Sequence, residues 1–362
     1  MEIKFYTLTE ILKKNAQYNI IIGERSNGKS YATLLHCLKQ YVLDGSQFAI
    51  IRRWKEDIRG KRAQAIFSGI ESNGEIEKIT NGNYNAIYYI NGKFYLCKTD
   101  ESLKKPVCDA TPCAFGFSLT DMEHDKSTSY PTIRNIIFDE FITRTMYLPD
   151  EFVTFMNVIS TIVRHRNDVK IFMLGNTVNK FCPYFNELGL RNIQTMKQGT
   201  IDLYKYGNSG LRVAVEYCGT INESKPSDIY FAFNNPKLKM VTSGVWELDI
   251  YPHLPIKYKP DNILFTYFVD FDDNILQCEI VLVNDCIFTY IHKKTTPIKY
   301  DNDFVFTLKA SPNPFTFRNI YKPLNKIHSK LLYYFQSNKV FYQDNEIGEV
   351  MRNYLNVCKQ IV

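Results

Sequence analysis

At 362 residues, with 45% hydrophobic and 14% aromatic side chains, the chain suits two cores of ordinary size and is too apolar for disorder or a disulfide-stapled miniprotein. Its net charge of +6 is compatible with a polyanionic partner without demanding one, and no stretch reaches the roughly 18 apolar residues of a membrane span, so a soluble cytoplasmic protein is expected. Nine cysteines without a single C-x-x-C pair disfavour a zinc ribbon and point to reduced thiols.

A short helix is expected over Leu8 to Lys14, then a buried strand over Asn19 to Ile22. That strand runs into Gly23-Glu24-Arg25-Ser26-Asn27-Gly28-Lys29-Ser30, which meets the spacing G-x-x-x-x-G-K-S without a mismatch. Such a loop turns its amide N–H groups inward onto phosphate oxygens. Lys29 is placed to reach the β- and γ-phosphates and the Ser30 hydroxyl to ligate Mg²⁺. The apolar spacing of Tyr31 to Leu43 predicts a helix, whose N-terminus would favour the same anion. ATP and Mg²⁺ are therefore the expected ligands.

Gln47 to Ile51 reads as a second buried strand. It leads into Arg52 to Arg62, where six basic side chains face only Glu56 and Asp57. This run is either a solvated helix face or, since it follows the carboxyl end of a strand, a phosphate or DNA contact. Within 74–98, Asn91-Gly92 between apolar runs predicts a two-stranded insertion, after which the core sheet resumes at Ala114 to Leu119 and a polar loop covers Thr120 to Pro131. Arg134 to Glu140, RNIIFDE, fits the second nucleotide motif, Walker B: Asp139 at the strand tip to hold Mg²⁺ and Glu140 to polarise the attacking water. An apolar helix over Pro149 to Val163 ends in Arg164-His165-Arg166. The strand Lys170 to Gly175 delivers Asn176, either to sense the γ-phosphate or to cap a turn.

Strand and helix alternate up to this point, which predicts a mainly parallel α/β sheet. Residues 1–198 are expected to form the nucleotide domain and 199–251 a connecting segment. Residues 252–362, with strands through Tyr290 and helices at Asn319 to Gln336 and Glu346 to Ile361, are expected to form a small α+β domain. In that domain Asp270, Asp272 and Asp273 lie on one strand and its turn, so no convergent metal set is legible.

With these motifs in place the chain resembles the DNA-packaging ATPases of phi29-like small tailed phages, compact relatives of the large terminases. The residues that carry the resemblance are Gly23 to Tyr31, Arg52-Arg53-Trp54-Lys55, Lys126-Ser127 with Tyr130-Pro131, Ile137 to Phe141, Val163 to Arg166 and Leu174-Gly175-Asn176. The resemblance implies a P-loop NTPase of the ASCE type followed by a degenerate, nuclease-dead RNase H-like domain. It also implies a homo-oligomeric ring, a pentamer, acting in the host cytoplasm at the portal of a prohead, with or without a structural RNA, and driving double-stranded DNA inward. Arg164 matches the family's arginine finger, with Arg166 its competitor. Arg53, Lys55 and Lys126 match basic positions expected to act across an interface or on DNA. The expected place of Arg164 is the ligand edge of the sheet, outside the phosphate loop. Other classes compatible with these motifs are a viral helicase or replication ATPase and a nucleotide-switched binding protein; Glu140 argues against the pure switch.

Overall fold

The computed structural model describes residues 5–100, 105–121, 128–193, 195–219, 246, 249–254, 256–299, 301–322 and 326–360. The chain divides into two compact units, Met1–Trp246 and Glu247–Val362.

The first unit is built on a ten-stranded sheet. Its strands in chain order are β1 (Tyr18–Gly23), β2 (Gln47–Arg52), β3 (Ala86–Ile90), β4 (Lys93–Lys98), β5 (Val107–Cys108), β6 (Ala114–Ser118), β7 (Ile133–Asp139), β8 (Lys170–Asn176), β9 (Thr200–Tyr206) and β10 (Leu211–Tyr217). They lie in the order β3-β4-β6-β2-β7-β8-β1-β10-β9, with β5 paired to β4. From β6 to β10 all neighbours run parallel, and the flanking pairs are antiparallel. Both faces are covered, which is why the central strands read as unbroken apolar runs. Ile20, Ile22, Ile51, Phe138 and Met173 pack on one side with Phe155, Val158 and Ile162 of the helix Glu151–Val163. Ile21, Ile50, Ile137, Phe172 and Leu174 pack on the other side with Leu34, Cys37 and Leu38 of the helix Lys29–Asp44.

Three expectations need correcting. The hairpin joined at Asn91-Gly92 is not a separate insertion, because β4 pairs with β6 (Phe94 opposite Ala114) and Phe94 packs edge-on against Phe67 in the main core. Residues 199–251 are not simply a connector. β10 pairs in parallel with β1 from Tyr18↔Val213 to Ile22↔Tyr217, and Val213, Ala214 and Val215 are fully buried. A three-residue apolar core preceded by Gly207 and Gly210 is too weak a signal along the chain; its burial is supplied by β1. Trp246 lies against Phe185 and Tyr217 of the same unit. Finally, not every thiol is reduced. Cys97 and Cys108 face each other across the antiparallel β4–β5 pair and form a disulfide, a juxtaposition that their separation of 11 residues does not announce.

The second unit holds a six-stranded sheet of β11 (Ile263–Phe271), β12 (Asn274–Val283), β13 (Cys286–Lys293), β14 (Val305–Thr307), β15 (Thr316–Phe317) and β16 (Val340–Tyr342). Its order is β15-β14-β11-β12-β13-β16. β11, β12 and β13 form an antiparallel meander, while β14 and β15 extend it in parallel from β11 and β16 from β13. The helix Asn345–Gln360 packs Tyr354 against Phe271, and His328 of the helix Lys326–Gln336 sits among Phe304, Phe306 and Phe317. These helices lie in the stretches expected to be helical, except that Asn319 to Lys322 form a turn rather than a helix start. Among the described residues no helix is long and apolar enough to cross a membrane.

Candidate active site

The strand order β2-β7-β8-β1 places the carboxyl ends of four parallel strands side by side, and with them Arg52, Asp139, Asn176 and Gly23. This is the edge at which open α/β sheets bind ligands. The phosphate loop follows β1 and opens the helix Lys29–Asp44. Gly28 takes φ +94°, a conformation that L side chains resist, and a Cβ there would meet Phe5 at 3.3 Å. Gly23 is needed for closeness instead: a Cβ would come within 2.8 Å of the Cys218 Cβ, which follows β10.

The loop, Asp139, Glu140 and Asn176 line a pocket of about 260 Å³. Lys29 is 5% exposed, and its Nζ donates to the Glu24 carbonyl at 2.6 Å, Asn27 Oδ1 at 3.1 Å and Asn176 Oδ1 at 3.2 Å. Burial pulls the Lys29 pKa below its ordinary value, with Asp139 and Glu24 among the groups opposing it. All three ammonium protons therefore have acceptors that phosphate oxygens could replace. Asn176 thus reaches Lys29 across the pocket, beyond a turn-capping role.

Ser30 Oγ and Asp139 Oδ1 lie 3.1 Å apart. Adjacent ligands of an octahedral Mg²⁺ with bonds of about 2.1 Å would be about 3.0 Å apart, so this hard oxygen pair fits the ion, with Asp139 bound directly or through a water. Glu140 follows with φ +61°, uncommon for a non-glycine residue, while its N–H donates to Asp139 Oδ1 at 3.0 Å. Its carboxylate is two-thirds exposed, and the residue lines the pocket.

Arg52, expected only as part of the basic run, contacts the two acids rather than being a bare phosphate or DNA contact. Its guanidinium lies 2.9 Å from Asp139 Oδ2 and 3.0 Å from Glu140 Oε2, bridging both acids. The available signal was its place at the last position of a buried strand, but β2 had to be known as the neighbour of β7 before that signal meant anything.

Other basic residues are distributed differently from expectation. Arg53 is 7% exposed and therefore not a surface contact for DNA; it pairs with the buried Glu151 through Nε and NH2 at 2.8 and 2.9 Å. Burial works against the Arg53 charge, but hydrogen bonding and charge pairing with Glu151 outweigh it and raise its pKa. Lys55 is paired with Asp121 at 2.6 Å. Lys126 lies outside the described residues. Arg166 spends its guanidinium on the carbonyls of Tyr130, Pro131, Ile133 and Ile162, with Nε reaching Val163, and thus ties the helix end to the start of β7. Arg164 is exposed and donates to the Thr128 carbonyl at 3.0 Å. Both arginines lie at the end of the sheet where β7 and β8 begin, not at its ligand edge. A helix between two parallel strands must return the chain to the opposite edge.

A protein-family model for the podovirus DNA encapsidation protein (Gp16) matches residues 2–197, the stretch carrying the phosphate loop, Asp139, Glu140 and Asn176. The chain belongs to this family. Among known relatives it is similar to the DNA packaging protein of Bacillus phage phi29, with 27% identity over 185 residues covering 50% of this chain and 49% of that one. It is also similar to the DNA packaging protein of Bacillus phage B103, with 29% identity over 175 residues and 48% of each chain. The chain thus spans about half the length of the relatives it matches. In three dimensions it is similar to a chain of the bacteriophage phi29 viral genome packaging motor assembly, with a TM-score of 0.59, 20% identity and 99% of both chains covered. That likeness is one of fold and takes in the second unit as well as the first.

Proposed function

We propose that this chain is the ATP-hydrolysing motor of phage genome packaging, working as a homo-oligomeric ring, a pentamer by family resemblance, at the portal of a prohead in the host cytoplasm and drawing double-stranded DNA inward. The observation that carries the proposal is the convergence of Lys29, Ser30, Asp139, Glu140 and Asn176 on one pocket. Lys29 exchanges its contacts with Glu24, Asn27 and Asn176 for β- and γ-phosphate oxygens. Mg²⁺ held by Ser30 and Asp139 would supply charge neutralisation at the β- and γ-oxygens. Glu140 accepts the proton of the attacking water and Asn176 orients that water or the γ-phosphate. For the acids to do this work, Arg52 must release them.

Mixing the protein with purified proheads, linear DNA and ATP is expected to protect the DNA from added nuclease, and protection should disappear without ATP. Strand displacement by the protein alone, with no protection, would instead identify a helicase.

The second unit is proposed to be a degenerate RNase H-like domain that grips DNA or docks on the prohead. An antiparallel meander whose first strand is extended by parallel strands supports the fold. The proposal that nuclease chemistry is lost rests on Asp270, Asp272 and Asp273 lying on one strand and its turn rather than converging from separate elements; Asp270 itself pairs with the exposed Lys309 Nζ at 3.1 and 3.3 Å. Asp272 and Asp273 occupy the β11–β12 turn with φ +51° and +57°. The full chain is therefore expected to leave linear DNA intact with Mg²⁺ or Mn²⁺ on an agarose gel. Cutting that Asp270→Ala abolishes would refute this.

A further inference from the structure

We propose that the buried Arg53–Glu151 pair is a positioning device for Glu140, setting where the catalytic carboxylate lies without touching nucleotide; this rests on the ATPase proposed above. Arg53 NH1 donates to the Glu140 carbonyl at 3.2 Å and NH2 to the Phe141 carbonyl at 2.7 Å, so one guanidinium grips the two successive peptide carbonyls that follow the glutamate. Glu140 needs such a grip. Its positive φ is a conformation that persists only where the surroundings over-determine it. Its N–H is held by Asp139 Oδ1, and the next N–H, of Phe141, donates to the Leu174 carbonyl at 3.3 Å. The carbonyl side is held by Arg53.

Glu151 fixes the guanidinium in turn. Its two oxygens take Arg53 in a bidentate fork, and they also accept the Leu148 N–H at 2.7 Å and the Tyr184 hydroxyl at 2.8 Å. The Tyr147 ring lies 5.0 Å from the Arg53 guanidinium carbon. Among the described residues, the hydrogen bonds of Arg53 go to Glu151 and to these two carbonyls, and none to the phosphate loop. Ground-state phosphate binding through Lys29 is therefore independent of the pair, whereas a general base displaced by ~1 Å costs on the order of 10²-fold in rate.

The test compares wild type with Glu140→Gln, Glu151→Gln, Arg53→Lys and Tyr184→Phe in the full chain. It reads steady-state ATP hydrolysis, the Kd of a fluorescent ATP analogue and thermal unfolding. Glu151→Gln keeps the shape of the side chain, and Arg53→Lys keeps the charge but cannot span both carbonyls and the carboxylate. Each is expected to lower kcat by roughly 10- to 100-fold, with KM and analogue Kd within about twofold to threefold of wild type. Tyr184→Phe removes one hydrogen bond from Glu151 while leaving the ring packed, so a fall of about twofold to fivefold is expected. Guanidinium ion added to Arg53→Ala should restore part of the lost kcat. The proposal is overturned if folded Glu151→Gln and Arg53→Lys turn over at the wild-type rate, or if their loss of rate is matched by an equal loss of nucleotide binding and folded fraction. Should both fail to fold, Tyr184→Phe decides: an unchanged kcat overturns the proposal. A wild type that neither binds the analogue nor hydrolyses ATP refutes the ATPase itself, and a silent Glu140→Gln substitution refutes its role, so those failures are distinguishable from failure of the pair.

Discussion

Lys29→Ala is expected to abolish nucleotide binding, and Glu140→Gln to keep binding while losing turnover by about 10²- to 10⁴-fold, the usual range for removal of a general base. The two effects separate because the side chains act on different states. Lys29 points its ammonium into the pocket from the start of the loop helix, and its three present acceptors are neutral oxygens that anionic phosphates would displace. Charge-assisted hydrogen bonds are worth about 1.5–3 kcal/mol each, so losing two of them weakens binding by roughly 10²- to 10⁴-fold. Glu140, an anion, is not expected to contribute ground-state phosphate contacts; among the described residues its carboxylate pairs with Arg52. Replacing it by the isosteric amide removes the proton acceptor and weakens the hold of Arg52. Equilibrium titration with a fluorescent ATP analogue and a phosphate-release assay measure both quantities. Wild-type hydrolysis by Glu140→Gln would refute the assignment of this acid.

Arg164→Ala is expected to bind ATP nearly normally and to lose turnover by about 10³-fold or more at every protein concentration, the scale on which an arginine supplied in trans acts elsewhere. The location of the side chain makes action within its own subunit impossible. The helix Glu151–Val163 starts beside the Arg53 contacts and runs back along the sheet for thirteen residues, roughly 20 Å at 1.5 Å per residue, before Arg164. No rotamer returns it to its own γ-phosphate site, and its present hydrogen bond to the Thr128 carbonyl is exposed. In the ring proposed above, that edge would be offered to a neighbouring subunit. Wild-type activity per subunit should therefore rise with concentration, and a mixture of Arg164→Ala with Glu140→Gln should recover hydrolysis, because the intact acid of the first borrows the intact arginine of the second. Full, concentration-dependent activity of Arg164→Ala would place the finger elsewhere. Arg166 is a poor substitute, since its guanidinium is committed to backbone carbonyls and its loss should lower stability first.

What the chain determines by itself is whatever depends on neighbours in sequence. The phosphate loop is legible because all its donors lie within eight consecutive residues, Gly23 to Ser30, between an apolar strand and an amphipathic helix. The pair Asp139-Glu140 is legible because a buried strand must deposit its next residues at the sheet edge, and the Asn91-Gly92 hairpin because turn geometry is local. Strand order is not local, and the sequence leaves it open. β10 reads as a connector along the chain and is buried only by β1, and Cys97 meets Cys108 only through the β4–β5 pairing. Arg52 and Arg53 are adjacent basic residues with opposite fates. One bridges Asp139 and Glu140 at the pocket, while the other enters the core to meet Glu151 and the backbone behind the glutamate. Successive side chains on an extended segment leave on opposite faces, so the sequence could place two charges at the end of β2, but only the packing of β2 beside β7 and of the Glu151 helix beneath them decided which faces ligand and which holds the acid in place.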